Sequence, residues 1–123
     1  MSYWMVAIAA AGGAVARYTL DFHLTARSAS QLPWGTFVVN VSGSLALGMV
    51  AGWVLFHDAP MAWRIVLGTG FLGAYTTFST WMMESLVLLQ RGQRQAAVLN
   101  LAGSWAAGTA AAALGLGLAL HWA

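Results

Sequence analysis

A group of small and hydroxyl-bearing residues lies in the middle of an apolar segment, where a membrane-spanning helix does not need them. The apolar segment covers residues 61–89, which is longer than the roughly 20 residues of a straight membrane crossing. A helix interrupted at mid-membrane explains both the excess length and the hydroxyl groups, because such breaks carry ion sites in transporters. The sequence therefore predicts an ion site within residues 68–84, which include Gly70, Gly73, Thr76, Thr77, Ser79 and Thr80.

Two other apolar segments carry polar residues at a spacing of four, which places them on one face of a helix. Such a stripe is most often a packing face, where small side chains let two backbones approach. Asn40 is more polar than a packing face requires, because its amide supplies two N–H donors and is costly to bury without a partner. It either joins helices or faces a permeant species. The stripes are Thr36, Asn40, Ser44, Gly48 and Gly52, and then Asn100, Ser104, Gly108 and Ala112.

Charged and aromatic residues within the apolar segments add further candidates. Arg17 and Asp21 are four residues apart and can pair on one face of the first segment. Arg17 either extends to the interface from the helix end or raises the anion concentration at a pore mouth. Glu84 is a candidate functional acid, although it also lies close to the interface. Phe78 either packs in the core or presents its positive ring edge to a small anion.

Several classes of function are excluded by what the chain lacks. It has no hydrolase triad spacing, HExxH, P-loop or GxGxxG motif, so we do not expect an enzyme. Its basic residues are five arginines scattered along the chain, so no basic patch for nucleic acid is expected. The absence of cysteine removes disulfides and thiolate metal sites. The remaining chemistry is a set of hydrogen-bond donors, which suits an anion.

The composition predicts an all-α membrane protein of one domain. Hydrophobic residues make up 60% of the 123 residues and charged residues only 7%, against about 25% charged in soluble domains. Short polar connections between the apolar segments predict a four-helix bundle with antiparallel neighbours. The expected location is the inner (plasma) membrane, crossed several times. The predicted domain spans residues 1–123, with helices at about residues 3–22, 34–56, 61–89 and 96–122.

Three stretches of the chain resemble a known family. GGAVARY at residues 12–18, WGTFVVNVSGSLALG at residues 34–48 and GTGFLGAYTTFSTW at residues 68–81 are similar in order and spacing to the signature stretches of the Fluc (CrcB) family of fluoride channels. The resemblance implies an antiparallel dual-topology dimer with two pores and a third helix broken at mid-membrane. It also implies a structural Na⁺ at the dimer centre, held by the main-chain carbonyls of Gly73 and Thr76.

The same resemblance implies roles for individual side chains. Asn40 corresponds to a pore-lining asparagine, Phe78 to the first residue of a phenylalanine pair, and Arg17 to a first-helix arginine. Trp81 stands where the family usually has a second Phe; tryptophan keeps the aromatic edge and adds an N–H donor. Asn100 stands where a tyrosine is common. The implied polar track consists of Thr36, Thr77, Ser79, Thr80, Glu84 and Ser104.

The resulting functional hypothesis is a fluoride-selective channel that lets F⁻ leave the cytoplasm passively and so relieves fluoride toxicity. Its expected partners are fluoride, membrane lipid, and a second copy of the chain or a homologous subunit. One alternative is a small proton-coupled multidrug exporter, which needs a titratable acid in its first helix; here that helix has Arg17 instead, with Asp21 only at its end. Another is a non-conducting membrane assembly subunit.

Overall fold

The helices begin and end near the boundaries between apolar and polar sequence. The computed structural model describes residues 3–27 and 32–122, and regular structure over these residues is entirely helical. Residues 1, 2, 28–31 and 123, which belong to the predicted domain and its first connection, lie outside the described residues. In chain order the helices are α1, Tyr3–Arg27; α2, Trp34–Phe56; α3, residues 61–75; α4, Phe78–Gln90; and α5, Arg94–His121.

Two helices are longer than the apolar segments that predicted them. α1 continues to Arg27, beyond the predicted end at residue 22, and α5 begins at Arg94 rather than at residue 96. In α1 the Thr25 hydroxyl donates to the Asp21 carboxylate one turn earlier, at 3.1 Å, and Arg27 at the carboxyl end suits the helix dipole. The two helices thus continue into polar sequence, whereas the apolar residues mark only the part of each helix that is suited to lipid.

Both α3 and α5 contain a stretch of wider, π-helical turns. These turns cover Arg64–Leu72 in α3 and Leu99–Gly103 in α5. A π-helical turn shifts the carbonyl groups and side chains that follow it relative to a regular helix, and such turns are frequent at functional sites. In this chain the first stretch ends just before residues 73–77, and the second contains Asn100.

α2 and α5 pack along a face of glycine and alanine. A Cβ added to Gly48 would overlap the Ala112 carbonyl oxygen, and one added to Gly115 would overlap the Leu45 carbonyl oxygen. The two backbones are therefore in direct contact, as the stripe of small residues in α2 predicts. α1 approaches α3 in the same way, since a Cβ on Gly13 would overlap the Phe71 carbonyl oxygen.

The outer surface of the bundle is apolar. Large side chains such as Ile8, Val15 and Trp105 are mostly exposed. The buried apolar residues among those described are few and mostly small: Val39, Leu72, Leu88, Ala97, Ala111 and Ala119. A surface of this kind suits lipid or another apolar partner rather than water. Two helices, Trp34–Phe56 and Arg94–His121, are also long and apolar enough to cross a membrane.

The contact between α2 and α5 can be tested with two glycines of the same helix. Gly115→Ala places a methyl group against the backbone of Leu45 and Met49, and we expect it to lower the free energy of unfolding by about 1–3 kcal/mol, as overpacking does. Gly117→Ala is the matched control, because a Cβ there meets nothing within 4 Å. Thermal unfolding in detergent measures both; equal melting temperatures for the two variants would contradict the packing.

Candidate functional site

The backbone between α3 and α4 leaves the helical conformation at two threonines. Thr76 has φ −77° and ψ 157°, and Thr77 has φ −144° and ψ 122°, so both are extended. Thr77 also begins α4, because its hydroxyl oxygen accepts a hydrogen bond from the Thr80 amide at 3.2 Å. Threonine is a favourable residue at this position of a helix. The hydroxyl residues in the middle of the apolar segment therefore lie at an interruption of the backbone.

The interruption is paired to α2 by the side chain of Asn40. Nδ2 of Asn40 donates to the Thr77 carbonyl oxygen, and the Thr77 amide donates to Oδ1 of Asn40, each at 2.8 Å. Only one orientation of the amide satisfies both bonds, since Thr77 offers one donor and one acceptor. The pairing uses the amide oxygen and one N–H of Asn40. The second N–H of Asn40 has no hydrogen-bond partner among the residues that the structure describes.

These bonds take helical donors away from two main-chain carbonyls. In a continuous α-helix the amide of residue 77 would bond to the carbonyl of Gly73, and the amide of residue 80 to that of Thr76. Here the two amides bond to side-chain oxygens of Asn40 and Thr77 instead. Gly73 and Thr76 are the residues whose carbonyls would hold sodium according to the family resemblance, and oxygen is the ligand that hard cations prefer.

Side-chain ligands for a metal do not gather in the part of the chain that the structure describes. Within those residues no three His, Cys, Asp or Glu side chains come together in a group that could hold a metal ion. Main-chain carbonyl oxygen atoms are a further kind of ligand that a hard cation accepts. The carbonyls of Gly73 and Thr76 fit that chemistry.

Arg17 supports the same part of the backbone from α1. Its Nε donates to the Ala74 carbonyl oxygen at 3.3 Å, and Ala74 is another residue whose helical donor is lost where α3 ends. The close approach of α1 at Gly13 to Phe71 brings the guanidinium there. The structure thus places Arg17 beside the interruption. Sequence reasoning did not identify this contact, because it is made to a main-chain atom that carries no residue signature.

An open cleft of about 390 Å³ lies beside the interruption, between α2, α4 and α5. It brings together six of the predicted site residues, although they are distant in sequence. Phe78 projects from this region with 70% of its surface exposed. Its ring meets that of Trp81 edge to face, with centroids 5.7 Å apart and planes at 87°. The six residues are Asn40, Thr76, Thr77, Phe78, Trp81 and Ser104.

The remaining polar candidates form two groups outside the lining of the cleft. Ser79 and Thr80 cluster around Thr77, whose Oγ1 lies 3.5 Å from the Ser79 oxygen and 3.1 Å from the Thr80 oxygen. Thr36 in α2, which is 2% exposed, donates to Oε1 of Glu84 in α4 at 2.5 Å. Glu84 is therefore bound to the face of α2 that carries Asn40, one helical turn away. The predicted track consists of separate hydrogen-bonded groups.

Two serines of this region were missed by sequence reasoning. Ser85 donates to the Trp81 carbonyl oxygen at 2.8 Å and accepts from Nδ2 of Asn100 at 2.7 Å. Ser42 lies 2.9 Å from the hydroxyl of Tyr75 in the last turn of α3. The only signal for Ser85 is its position four residues after Trp81, and serine is common enough in helices that this spacing has little meaning alone.

The fold and the cleft define an all-helical protein with an apolar outer surface and with polar groups collected where a helix is interrupted. A family model described as "CrcB-like protein, Camphor Resistance (CrcB)" matches residues 4–116. The chain therefore belongs to the CrcB family, which confirms the resemblance seen in its three stretches.

Curated relatives match nearly the whole chain. It is 46% identical over 125 residues to a protein of Symbiobacterium thermophilum named "Fluoride-specific ion channel FluC 1", covering 99% of this chain and 98% of the relative. A protein of Leifsonia xyli subsp. xyli with the same name is 48% identical over 113 residues, with 92% and 82% covered. "Fluoride-specific ion channel FluC" of Acidobacterium capsulatum is 43% identical over 117 residues, with 94% of each covered.

The bond between Thr36 and Glu84 can be tested by removing one hydroxyl. Thr36→Val keeps the shape of the buried side chain but leaves Glu84 without this donor, so we expect the free energy of unfolding to fall by about 1–3 kcal/mol. Thr36→Ser keeps the hydroxyl and is the matched control. Thermal unfolding of both variants measures the difference, and a Thr36→Val protein as stable as Thr36→Ser would show that the bond contributes nothing.

Proposed function

We propose that this chain forms a fluoride-selective channel through which F⁻ leaves the cytoplasm passively. The observation that carries the proposal is the amide of Asn40, held at the interrupted helix beside an open cleft with one N–H unused by its pairing to Thr77. Membership of the CrcB family and relatives named as fluoride-specific channels support the same function. Passive exit of fluoride requires no bond-making chemistry, so no enzymatic role is proposed.

The donors around the cleft suit a small, strongly hydrated anion. A channel has to replace the hydration shell of the ion with groups placed closely enough to bind it. Asn40 offers an N–H, and Phe78 offers a ring edge with positive partial charge. Hydroxyl groups of Thr77 and Ser104 complete the lining. A larger halide engages such closely placed donors less well, which favours fluoride.

A second subunit is needed to complete the pathway. The cleft is open on one side, and Phe78 is 70% exposed, so one chain does not enclose an ion. We propose an antiparallel dual-topology dimer with two pores, formed by a second copy or by a homologous subunit and surrounded by lipid. The predicted location is the inner (plasma) membrane, which the single domain crosses with a helix broken at mid-membrane.

A structural Na⁺ at the centre of this dimer forms part of the proposal. The carbonyls of Gly73 and Thr76 would hold the ion, since their usual helical donors are bound to side chains. When bound, the cation supplies positive charge that lowers the barrier for an anion. Arg17 holds the neighbouring carbonyl of Ala74 and so steadies the backbone that presents the two oxygens.

The other two hypotheses have less support. A proton-coupled exporter would need a titratable acid in the first helix; α1 contains Asp21, but Asp21 does not line the cleft. A non-conducting subunit would leave the polar lining of the cleft and the unused N–H of Asn40 without a role.

Fluoride selectivity and the role of Asn40 are tested together in liposomes. Purified protein should release fluoride rapidly and chloride near the background rate, and Asn40→Asp should abolish the fluoride flux because a carboxylate has no donor and repels the anion. Gln95→Glu is the matched control, since it makes the same change at an exposed amide. Equal rates for the two anions would contradict selectivity, and normal flux in Asn40→Asp would remove Asn40 from the pathway.

The sodium site is tested by changing the cation throughout purification and assay. Protein prepared in N-methylglucamine salts should lose most of its fluoride flux, because the main-chain oxygens of Gly73 and Thr76 would lack the ion that holds them together. Restoring NaCl should recover the flux, whereas KCl at the same ionic strength should not. Equal flux in all three salts would exclude a functional sodium ion.

A further inference from the structure

Trp81 takes part in a ring of hydrogen bonds that the proposed conduction of fluoride does not use. Its indole Nε1 donates to the main-chain carbonyl of Asn100 at 2.9 Å. Nδ2 of Asn100 donates to Oγ of Ser85 at 2.7 Å, and Ser85 donates to the Trp81 carbonyl at 2.8 Å. These three bonds connect α4 and α5 in a closed loop. Both the indole and the main chain of Trp81 are therefore held.

The ring of bonds is buried. Ser85 is 4% exposed and Asn100 is 5% exposed, and Ser104 adds a bond to Oδ1 of Asn100 at 3.4 Å. Breaking one member would leave a buried donor or acceptor unpaired, which costs more than the bond itself contributes. The arrangement consequently favours a single orientation of the Trp81 indole.

The wide turns at Leu99–Gly103 provide the acceptor for the indole. The Asn100 carbonyl accepts from the Ser104 amide within α5 and also from Nε1 of Trp81, and a carbonyl oxygen has lone pairs for both. The indole N–H is thus committed to α5. Trp81 is one of the residues that line the cleft, but its N–H donates to the Asn100 carbonyl and is not the additional donor for the pathway that the sequence led us to expect.

We propose that Asn100 and Ser85 are positioning residues, which hold the Trp81 indole against the cleft and thereby set the discrimination between fluoride and larger halides. The inference rests on the proposed channel function. Trp81 meets Phe78 edge to face at 5.7 Å, so movement of the indole changes the width of the aromatic wall beside Asn40. While the indole of Trp81 is fixed, the donors that line the cleft stay close together. A mobile indole leaves room for a larger anion.

The orientation of the indole is tested by NMR of protein labelled with 5-fluorotryptophan. The chain has seven tryptophans, and Trp81→Phe identifies the ¹⁹F resonance of Trp81 by its loss. Asn100→Leu and Ser85→Ala should each shift or broaden that resonance and leave the other resonances in place. Thr25→Ala is the control, because it removes a hydrogen-bonded helical hydroxyl of α1 that is not part of this ring. An unchanged Trp81 resonance in both variants would overturn the inference.

The effect on selectivity is tested in the liposome assay with the same variants. Asn100→Leu and Ser85→Ala should lower the ratio of fluoride to chloride flux by about tenfold, the factor that corresponds to one ordinary hydrogen bond. Thr25→Ala should keep the wild-type ratio. In a Trp81→Phe background, which lacks the indole N–H, Asn100→Leu should have no further effect on the ratio.

Three outcomes would count against the inference in different ways. An unchanged ratio in Asn100→Leu and Ser85→Ala would show that holding Trp81 does not control selectivity. A full additional loss in the Trp81→Phe background would show that Asn100 acts on general stability and not through Trp81. Absence of fluoride flux in the wild-type protein would overturn the proposed function, and the ¹⁹F spectra would then still show whether the ring of bonds holds the indole.

Discussion

The two hydrogen bonds between Asn40 and Thr77 are the interaction on which the rest of the site depends. An extended pair of residues inside an apolar bundle leaves main-chain donors and acceptors that lipid cannot satisfy. Asn40 satisfies one of each on Thr77, so a break that would otherwise be costly is stable. The same bonds hold the start of α4 against α2, orient the remaining N–H of Asn40, and take the amide of residue 77 away from the Gly73 carbonyl. The side chain of Asn40 therefore accounts for the pairing of α2 with the start of α4, the position of its remaining N–H and the loss of a helical donor to the Gly73 carbonyl.

Small residues allow the helices to come close enough for this interaction, since a Cβ on Gly43 of α2 would overlap the side chain of Thr76. The backbones of α2 and α5 touch at Gly48 and Gly115, and α1 touches α3 at Gly13. The contact at Gly13 brings Arg17 within reach of the Ala74 carbonyl. Where helices touch through their backbones, large side chains do not fit between them and lie on the outer surface. This agrees with an apolar exterior suited to lipid. The glycines at the helix contacts therefore account for both the close packing and the position of the polar site.

In the proposed channel, the same break would serve two kinds of ion. The carbonyls of Gly73 and Thr76 would offer oxygen atoms to a hard cation, while Asn40 and the ring edge of Phe78 would donate to an anion. In a continuous helix each of these carbonyls would accept from an amide four residues later, and the two oxygen atoms would not be available. An interrupted helix therefore presents main-chain oxygen atoms and side-chain donors in one region of a chain of 123 residues.

The sequence by itself determined the apolar segments, the stripes of small and polar residues, the break-prone group of hydroxyls and the family. These features are local, because composition and a spacing of four residues report directly on helix faces. Only the tertiary structure decided that Asn40 pairs with Thr77, that Arg17 supports Ala74, and that the indole of Trp81 is committed to Asn100. Each of these contacts joins distant residues, and each ends on a main-chain atom. Main-chain atoms are the same in every residue, so no sequence pattern can show which of them the packing will expose.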